Sequence, residues 1–322
     1  MLIPVLLFVV GLLFLIKGGD WFVDAATSIA HRFHLPEILI GATVVSIGTT
    51  LPEVMVSATA ALGGQGSIAY GNAIGSIICN TSLIAALTVA IRPSKIDRKP
   101  LVIPVIFFFA SAGVYSLIAY TTGYFSRTIG IVLLSIFVIY TIVSVMQTKN
   151  SLATTTEDDG EEETKSSLVK DIIMLVIGAA TIAVGAKLLV DNGTIIAQAL
   201  GVPETVIALT FVALGTSLPE LVTAITALAK GHGALSLGNI IGANIFNLVL
   251  VSGVSVALSP FAVPAASLIK GMNASLVLDI PVMFAVMLLL TVPALIRGKL
   301  SRAQGIILLA IYAAFCAFQF AM

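Results

Sequence analysis

Long apolar runs separated by short connections that hold most of the charge set the pattern of this chain. The hydrocarbon of a bilayer is about 30 Å thick, so a helix needs about 20 apolar residues to cross it. Ten runs have that character, at 2–28, 38–62, 67–90, 100–121, 126–147, 168–192, 204–229, 234–258, 273–296 and 302–321. The first opens on Met1-Leu2-Ile3-Pro4 with no basic stretch before it and continues past signal-peptide length, so it is read as a spanning helix. An all-α membrane protein of ten transmembrane helices is expected. Composition agrees: 58% hydrophobic residues, 10% charged residues and a mean hydropathy of +1.11 exclude a soluble domain of 322 residues.

The runs repeat. Gly48-Thr49-Thr50-Leu51-Pro52-Glu53 returns as Gly215-Thr216-Ser217-Leu218-Pro219-Glu220, an offset of 167 residues. The same offset joins Asp24 to Asp191, Pro36-Glu37 to Pro203-Glu204, Gly71-Asn72 to Gly238-Asn239, Gly75 to Gly242, Asn80 to Asn247 and Pro93 to Pro260. One offset over so long a stretch means two homologous halves. With five helices in each, the second half enters the membrane from the opposite face, which makes the repeat inverted. The division is a first repeat at 1–147, an acidic linker at 148–167 and a second repeat at 168–322.

Positive charge orients the chain. Connections after odd-numbered helices hold Arg32, Arg92, Lys95, Arg98, Lys99, Lys149, Lys165, Lys170, Lys230, Arg297, Lys299 and Arg302, against Arg127 and Lys270 after even-numbered ones. Cytoplasmic loops are the basic ones, so both termini and the even loops are expected outside a plasma (inner) membrane, with the linker in the cytoplasm. Lys17 and Lys187 lie within helices and are expected to snorkel or pair locally with Asp20 and Asp191. The linker carries Glu157, Asp158, Asp159, Glu161, Glu162 and Glu163, but their spacing lacks the alternating ligands of a calcium-binding hand and fits a solvated acidic segment. Cys79 and Cys316 fall in helices of opposite halves and suit packing; His31, His34 and His232 fall at helix ends or loops. A formal net charge of zero gives no reason to expect nucleic acid.

The chemistry lies in the paired hexapeptide. A carboxylate in hydrocarbon is expensive, and two at equivalent points of two halves read as a cation site. On a helix Thr49, Thr50 and Glu53 share one face, and Pro52 frees the carbonyl of Gly48, so a kinked or broken helix offers backbone and side-chain oxygens together. Thr216, Ser217, Pro219 and Glu220 repeat the arrangement. The alternative, a Ser/Thr-x-x-Glu capping box in each half, needs no ionised group in the membrane, since Gln would serve at lower desolvation cost. In the helix that follows, Gly71 and Gly75, like Gly238 and Gly242, permit close helix packing; Ser76 and Asn80 share a face toward the glutamate, while the second half has Ala243 and Asn247. Asn72 and Asn239 fit helix–helix hydrogen bonds better than ligand roles. Two glutamates carry a charge of −2, which one Ca²⁺, two or more Na⁺ or two protons neutralise, and a dry pocket that binds one set or another is suited to exchange.

These motifs resemble the prokaryotic calcium/sodium antiporters of the calcium:cation antiporter superfamily, over nearly the whole chain and most densely at 41–80 and 208–247. The resemblance implies overlapping Na⁺ and Ca²⁺ sites between helices 2, 3, 7 and 8, with the long helices 1 and 6 sliding past them. It implies as ligands Thr49, Thr50, Glu53, Ser76 and Asn80, then Thr216, Ser217, Glu220 and Asn247, with the carbonyls of Ser46 and Ala213. Glu53 and Glu220 would bridge to Ca²⁺, and hydroxyls and carbonyls would complete the flanking Na⁺ sites. Ala243 stands where such exchangers usually have serine, and Asn247 where many have aspartate. The ions are cargo, and no cofactor is expected; Ca²⁺, Na⁺ and membrane lipid are the expected partners. A Ca²⁺/H⁺ antiporter using the same two glutamates is the rival within transport. An intramembrane enzyme would need a nucleophile with an adjacent base, and no His or Lys stands beside the hydroxyls.

Overall fold

The computed structural model describes residues 2–155, 167–200, 215–265, 268–269 and 271–321. Nine helices among them are long and apolar enough to span a membrane. We label them with the shorter helix that follows Gly215: α1 Leu2–Arg32, α2 Glu37–Leu62, α3 Gly66–Ile91, α4 Arg98–Thr121, α5 Arg127–Thr155, α6 Leu168–Ala199, α7 Leu218–Lys230, α8 Gly233–Leu258, α9 Ser275–Arg297 and α10 Arg302–Ala321. The start of the expected seventh span, with Pro203-Glu204 and Ala213, lies outside the described residues, as does most of the acidic linker. Helix α5 continues to Thr155, into what the sequence marks as linker.

Contacts between connections reproduce the alternating path. Strand β1 (Tyr124–Phe125), after α4, pairs antiparallel with β2 (Phe261–Ala262), after α8. On the other face Lys95, after α3, bridges to Lys299, after α9. The Arg302 guanidinium donates to the Ala90 and Ile91 carbonyls, and Arg92 to that of Leu228. Odd connections meet odd and even meet even, the arrangement required of two inverted five-helix repeats.

Burial separates two groups of helices. In α8 and α3, 83% and 72% of the central apolar window is buried, against 22% in α1 and in α6. Helices α2, α3 and α8 therefore form most of the interior, and α7 adds the buried face of Pro219, Glu220, Thr223, Ala224 and Ala227. Lipid is as apolar as leucine, so close van der Waals packing must hold them there, and small residues permit it. A methyl group added at Gly238 would overlap the Ile38 carbonyl, and one at Gly242 would stand 2.6 Å from the Ala42 carbonyl. Those glycines press α8 onto α2 as expected. The equivalent contacts of Gly71 and Gly75 would fall on residues 205–209, outside the described residues.

Helices α1 and α6 pack antiparallel, backbone against backbone. A methyl group at Gly11 would lie 2.9 Å from the Gly185 carbonyl, and one at Gly18 3.0 Å from that of Gly178. Gly11 and Gly178, like Gly18 and Gly185, are one offset apart, so the seam is itself pseudo-symmetric. At its ends Ser28 and Arg32 reach Asp171 at 2.8 and 3.8 Å, while Lys17 pairs with Asp20 and Lys187 with Asp191 as expected. Lys230 of α7 crosses to Asp20 and Asp24 of α1 at 3.3 and 2.7 Å. Because the neighbours of these glycines are backbone atoms that cannot rotate away, Gly185→Leu is expected to cost about 1–3 kcal/mol. It should lower the unfolding midpoint of the detergent-solubilised protein by several degrees, and an unchanged midpoint would mean that the seam tolerates separation.

Candidate cation site

Among the described residues, α2, α3 and α8 each carry a wide π-helical turn at or just before a motif residue. These turns span Gly41–Val45 of α2, Asn80–Ala85 of α3 and Asn247–Val251 of α8. Such turns displace the hydrogen-bond ladder and recur at functional positions. Serine hydroxyls take up displaced carbonyls: Ser46 donates to Gly41 at 2.6 Å and Ser252 to Asn247 at 3.0 Å. Asn80 and Asn247 each open one of these turns, one offset apart.

The two hexapeptides differ in backbone. In the first half the helix runs unbroken from Ser46 to Leu62 with Pro52 inside it, so the wide turn lies upstream and no break follows. In the second half Thr216 and Ser217 form a turn and α7 starts at Leu218, with Glu220 in its first turn at the positive end of the helix dipole. Neither copy is a capping box. Thr50 lies within a continuous helix, and Ser217 occupies the N-cap position without a side-chain cap bond, its hydroxyl 3.4 Å from that of Ser76.

Burial brings both halves together. Glu53, Glu220, Thr50, Asn80, Asn247 and Ser46 have no exposed surface, and Thr49, Ser217 and Ser76 are buried as well; Thr216 is half-buried. The two carboxylates, one from each half, are both fully enclosed. Within this cluster both oxygens of Glu53 and of Glu220, the Thr50 hydroxyl, both amide atoms of Asn80 and the Asn247 Oδ1 have no hydrogen-bond partner. The Asn247 amide nitrogen is tied back to the Ala243 carbonyl at 3.0 Å, which leaves its oxygen free. Buried polar groups are nearly always paired, and each orphan costs about 1–3 kcal/mol, more when charged. So many acceptors together suit a cation of matching size. Among the described residues no group of three His, Cys, Asp or Glu side chains forms a metal site. Hydroxyl, amide and carbonyl oxygens must therefore complete any shell around the two glutamates, a donor set for hard cations such as Ca²⁺ and Na⁺.

Two threonine–asparagine hydrogen bonds link the hexapeptide of one half to the following helix of the other. Thr49 donates to Asn239 Oδ1 and Thr216 to Asn72 Oδ1, each at 3.1 Å. The sequence marks both asparagines for helix–helix bonding, but their partners are the threonines of the opposite hexapeptide. Ser57 was overlooked: it accepts from the Asn72 amide at 2.8 Å, and its place one turn after Glu53 was the available signal. Ser46 turns its hydroxyl to the Gly41 and Asn239 carbonyls, and its own carbonyl lies 3.4 Å from the Thr49 hydroxyl. The carbonyl of Ala213 lies outside the described residues. A cavity of about 860 Å³ between α2 and α6 reaches Gly48, Pro52, Thr216 and Pro219.

A ten-helix membrane protein with mirrored acidic motifs meeting in its interior is the architecture of an ion exchanger. The family pattern described as sodium/calcium exchanger protein matches residues 3–146 and 170–321, and the chain belongs to that family. It is 33% identical to the sodium/calcium exchanger MaX1 of Methanosarcina acetivorans over 96% of each chain. It is 36% identical to the inner membrane protein YrbG of Escherichia coli over 81% of each. Among solved structures, the sodium-calcium exchanger NCX_Mj soaked with Na⁺ and Sr²⁺ superposes with a TM-score of 0.81 at 35% identity, over 98% of both chains.

Replacing Glu53 or Glu220 by Gln removes one of two charges with little change of shape. A loss of about 3–5 kcal/mol is expected, which takes Ca²⁺ transport below about one hundredth of the parent while the protein stays monodisperse in detergent. Retained transport in both variants would remove these residues from the site.

Proposed function

We propose that the protein is a secondary active transporter that exchanges Ca²⁺ for Na⁺ across the membrane by alternating access. The observation that carries this reading is the pair of buried, partnerless carboxylates contributed by opposite inverted halves. Glu53 and Glu220 hold Ca²⁺ between them, with Thr50, Ser76, Asn80, Ser217 and Asn247 around it. Thr49, Thr216 and the carbonyls of Ser46 and Ala213 complete sites for Na⁺. One Ca²⁺ cancels the two negative charges, as do two or more Na⁺; both sets at once leave excess positive charge in a dry pocket, and neither leaves excess negative charge. The protein therefore crosses loaded with one set or the other. Its work is binding and movement, with no bond made or broken.

Access supports the reading. Met55 and Ala186 line the cavity between α2 and α6. One offset away their counterparts, Val222 and Gly19, are packed together: a methyl group at Gly19 would lie 2.8 Å from Val222 and from the Thr226 hydroxyl. One approach is open where its mirror image is closed, and exchanging the two is the motion an inverted repeat supplies. On this reading the repeats are 1–147 and 168–322, joined by the acidic linker 148–167, the first part of which continues α5 as far as Thr155. The basic odd loops favour the linker in the cytoplasm and both termini outside a plasma (inner) membrane.

Reconstituted vesicles test the ion pair. An imposed Na⁺ gradient is expected to drive ⁴⁵Ca²⁺ uptake, with a pH gradient of equal size driving little. Uptake that follows the pH gradient alone would make protons the counter-ion, and uptake indifferent to both would make the protein a passive pore.

A further inference from the structure

We propose that Asn72 and Asn239 are positioning residues that draw the hydroxyl hydrogens of Thr216 and Thr49 out of the ion cage, so that each threonine turns its lone pairs toward the ion. The inference rests on the cation exchange proposed above and adds a requirement that the ligand set alone does not contain.

A hydroxyl carries one hydrogen and two lone pairs, so whichever acceptor takes the hydrogen decides where the lone pairs point. A cation is served only if that hydrogen points away. The competing acceptors are the Ser46 carbonyl, 3.4 Å from the Thr49 hydroxyl, and within the cage the carboxylate of Glu220, whose oxygens have no hydrogen-bond partner. A hydroxyl that donates there forms a strong charge-assisted bond, weakens the carboxylate as a ligand and faces the cation with its positive end. Asn239 Oδ1, at 3.1 Å and with no exposed surface, offers the hydrogen a place outside the cage. Asn72 Oδ1 does the same for Thr216 at the same distance. Asn72 and Asn239, like Thr49 and Thr216, are one offset apart, so the device occurs once per half and each bond crosses between halves.

The asparagines must themselves be held with the oxygen toward the threonine, and here the halves part company. The Asn72 amide nitrogen donates to Ser57 at 2.8 Å and lies 3.4 Å from the Glu53 carbonyl, which fixes its oxygen on Thr216. The counterpart of Ser57 is Ala224, and the Asn239 amide nitrogen is buried without a partner. Thr216 is thus held by a relay anchored at Ser57, while Thr49 is held by Asn239 and packing. Neutral oxygens matter more to a monovalent ion than to Ca²⁺, whose binding is dominated by carboxylates. The asparagines should therefore act on Na⁺ before they act on Ca²⁺.

A double-mutant cycle on the reconstituted protein separates positioning from mere packing. Asn239→Leu keeps the volume and removes the acceptor; the half-saturating Na⁺ for Na⁺-driven ⁴⁵Ca²⁺ flux is expected to rise about five- to tenfold, the scale of one buried hydrogen bond. Half-saturating Ca²⁺, read from Ca²⁺/Ca²⁺ exchange without Na⁺, should change less than about twofold by the same reasoning. Thr49→Val should raise the Na⁺ value similarly, and adding Asn239→Leu to it should raise it no further. Full additivity, or equal loss of affinity for both ions, would overturn the proposal. If Asn239→Leu does not insert, the Asn72→Leu and Thr216→Val cycle decides the same point with the same outcomes. Failure of the parent protein to couple Ca²⁺ flux to Na⁺ would strike the exchange reading instead, and this control is read before any variant.

Discussion

Two carboxylates in a membrane interior repel each other and lack the water that would screen them, and the rest of the molecule answers that constraint. Glu53 and Glu220 come from different halves, have no exposed surface and find no hydrogen-bond partner for any of their four oxygens. So costly an arrangement calls for neutralisation, by a bound cation or by protons. The wide turns at Asn80–Ala85 and Asn247–Val251 each open on an asparagine of the buried cluster, and that at Gly41–Val45 immediately precedes Ser46. The start of α7 at Leu218 turns the positive end of a helix dipole toward one of the two acids.

Around that centre the fold separates what must stay still from what must move. Helices α2, α3 and α8 are largely enclosed, and Gly238 and Gly242 press α8 against α2. Helices α1 and α6 lie outside this group and hold each other through Gly11, Gly18, Gly178 and Gly185. A pair so joined is suited to shift as a unit against the interior. On one face α1 is tied to α7 by the pairs from Lys230 to Asp20 and Asp24; on the other, the counterpart of Lys230 is Gly63, and Lys187 pairs with Asp191 on its own helix. The closed side therefore carries an ion-pair link for which its mirror has no equivalent.

Much of this was legible in the chain because the signals are long or repeated. Apolar runs mark membrane crossings whatever their neighbours do, and most of their described ends fall within a few residues of the helices found, although α5 and α6 run on to Thr155 and Ala199. The single offset exposed the two halves and paired Glu53 with Glu220 before any coordinates. Backbone detail was not legible. Both hexapeptides contain proline at the same place, yet the first stays within a continuous helix and the second does not, because packing and the turn upstream decide how a missing N–H is absorbed. Nor could sequence assign partners to Asn72 and Asn239. Their bonds cross between halves, and only the packed structure shows that each asparagine meets the other half's threonine. The reach of Lys230 to α1 is a third contact of this kind, set by the helix crossing and invisible to spacing within one helix.

The central claim is that one divalent ion sits between the two glutamates. Anomalous diffraction from crystals soaked in Sr²⁺ at low Na⁺ tests it most directly. The account predicts one strong peak within coordination distance of both the Glu53 and Glu220 carboxylates, weakening as Na⁺ is raised. A peak bound by only one of them, or strong density confined to the acidic segment near 157–163, would contradict it.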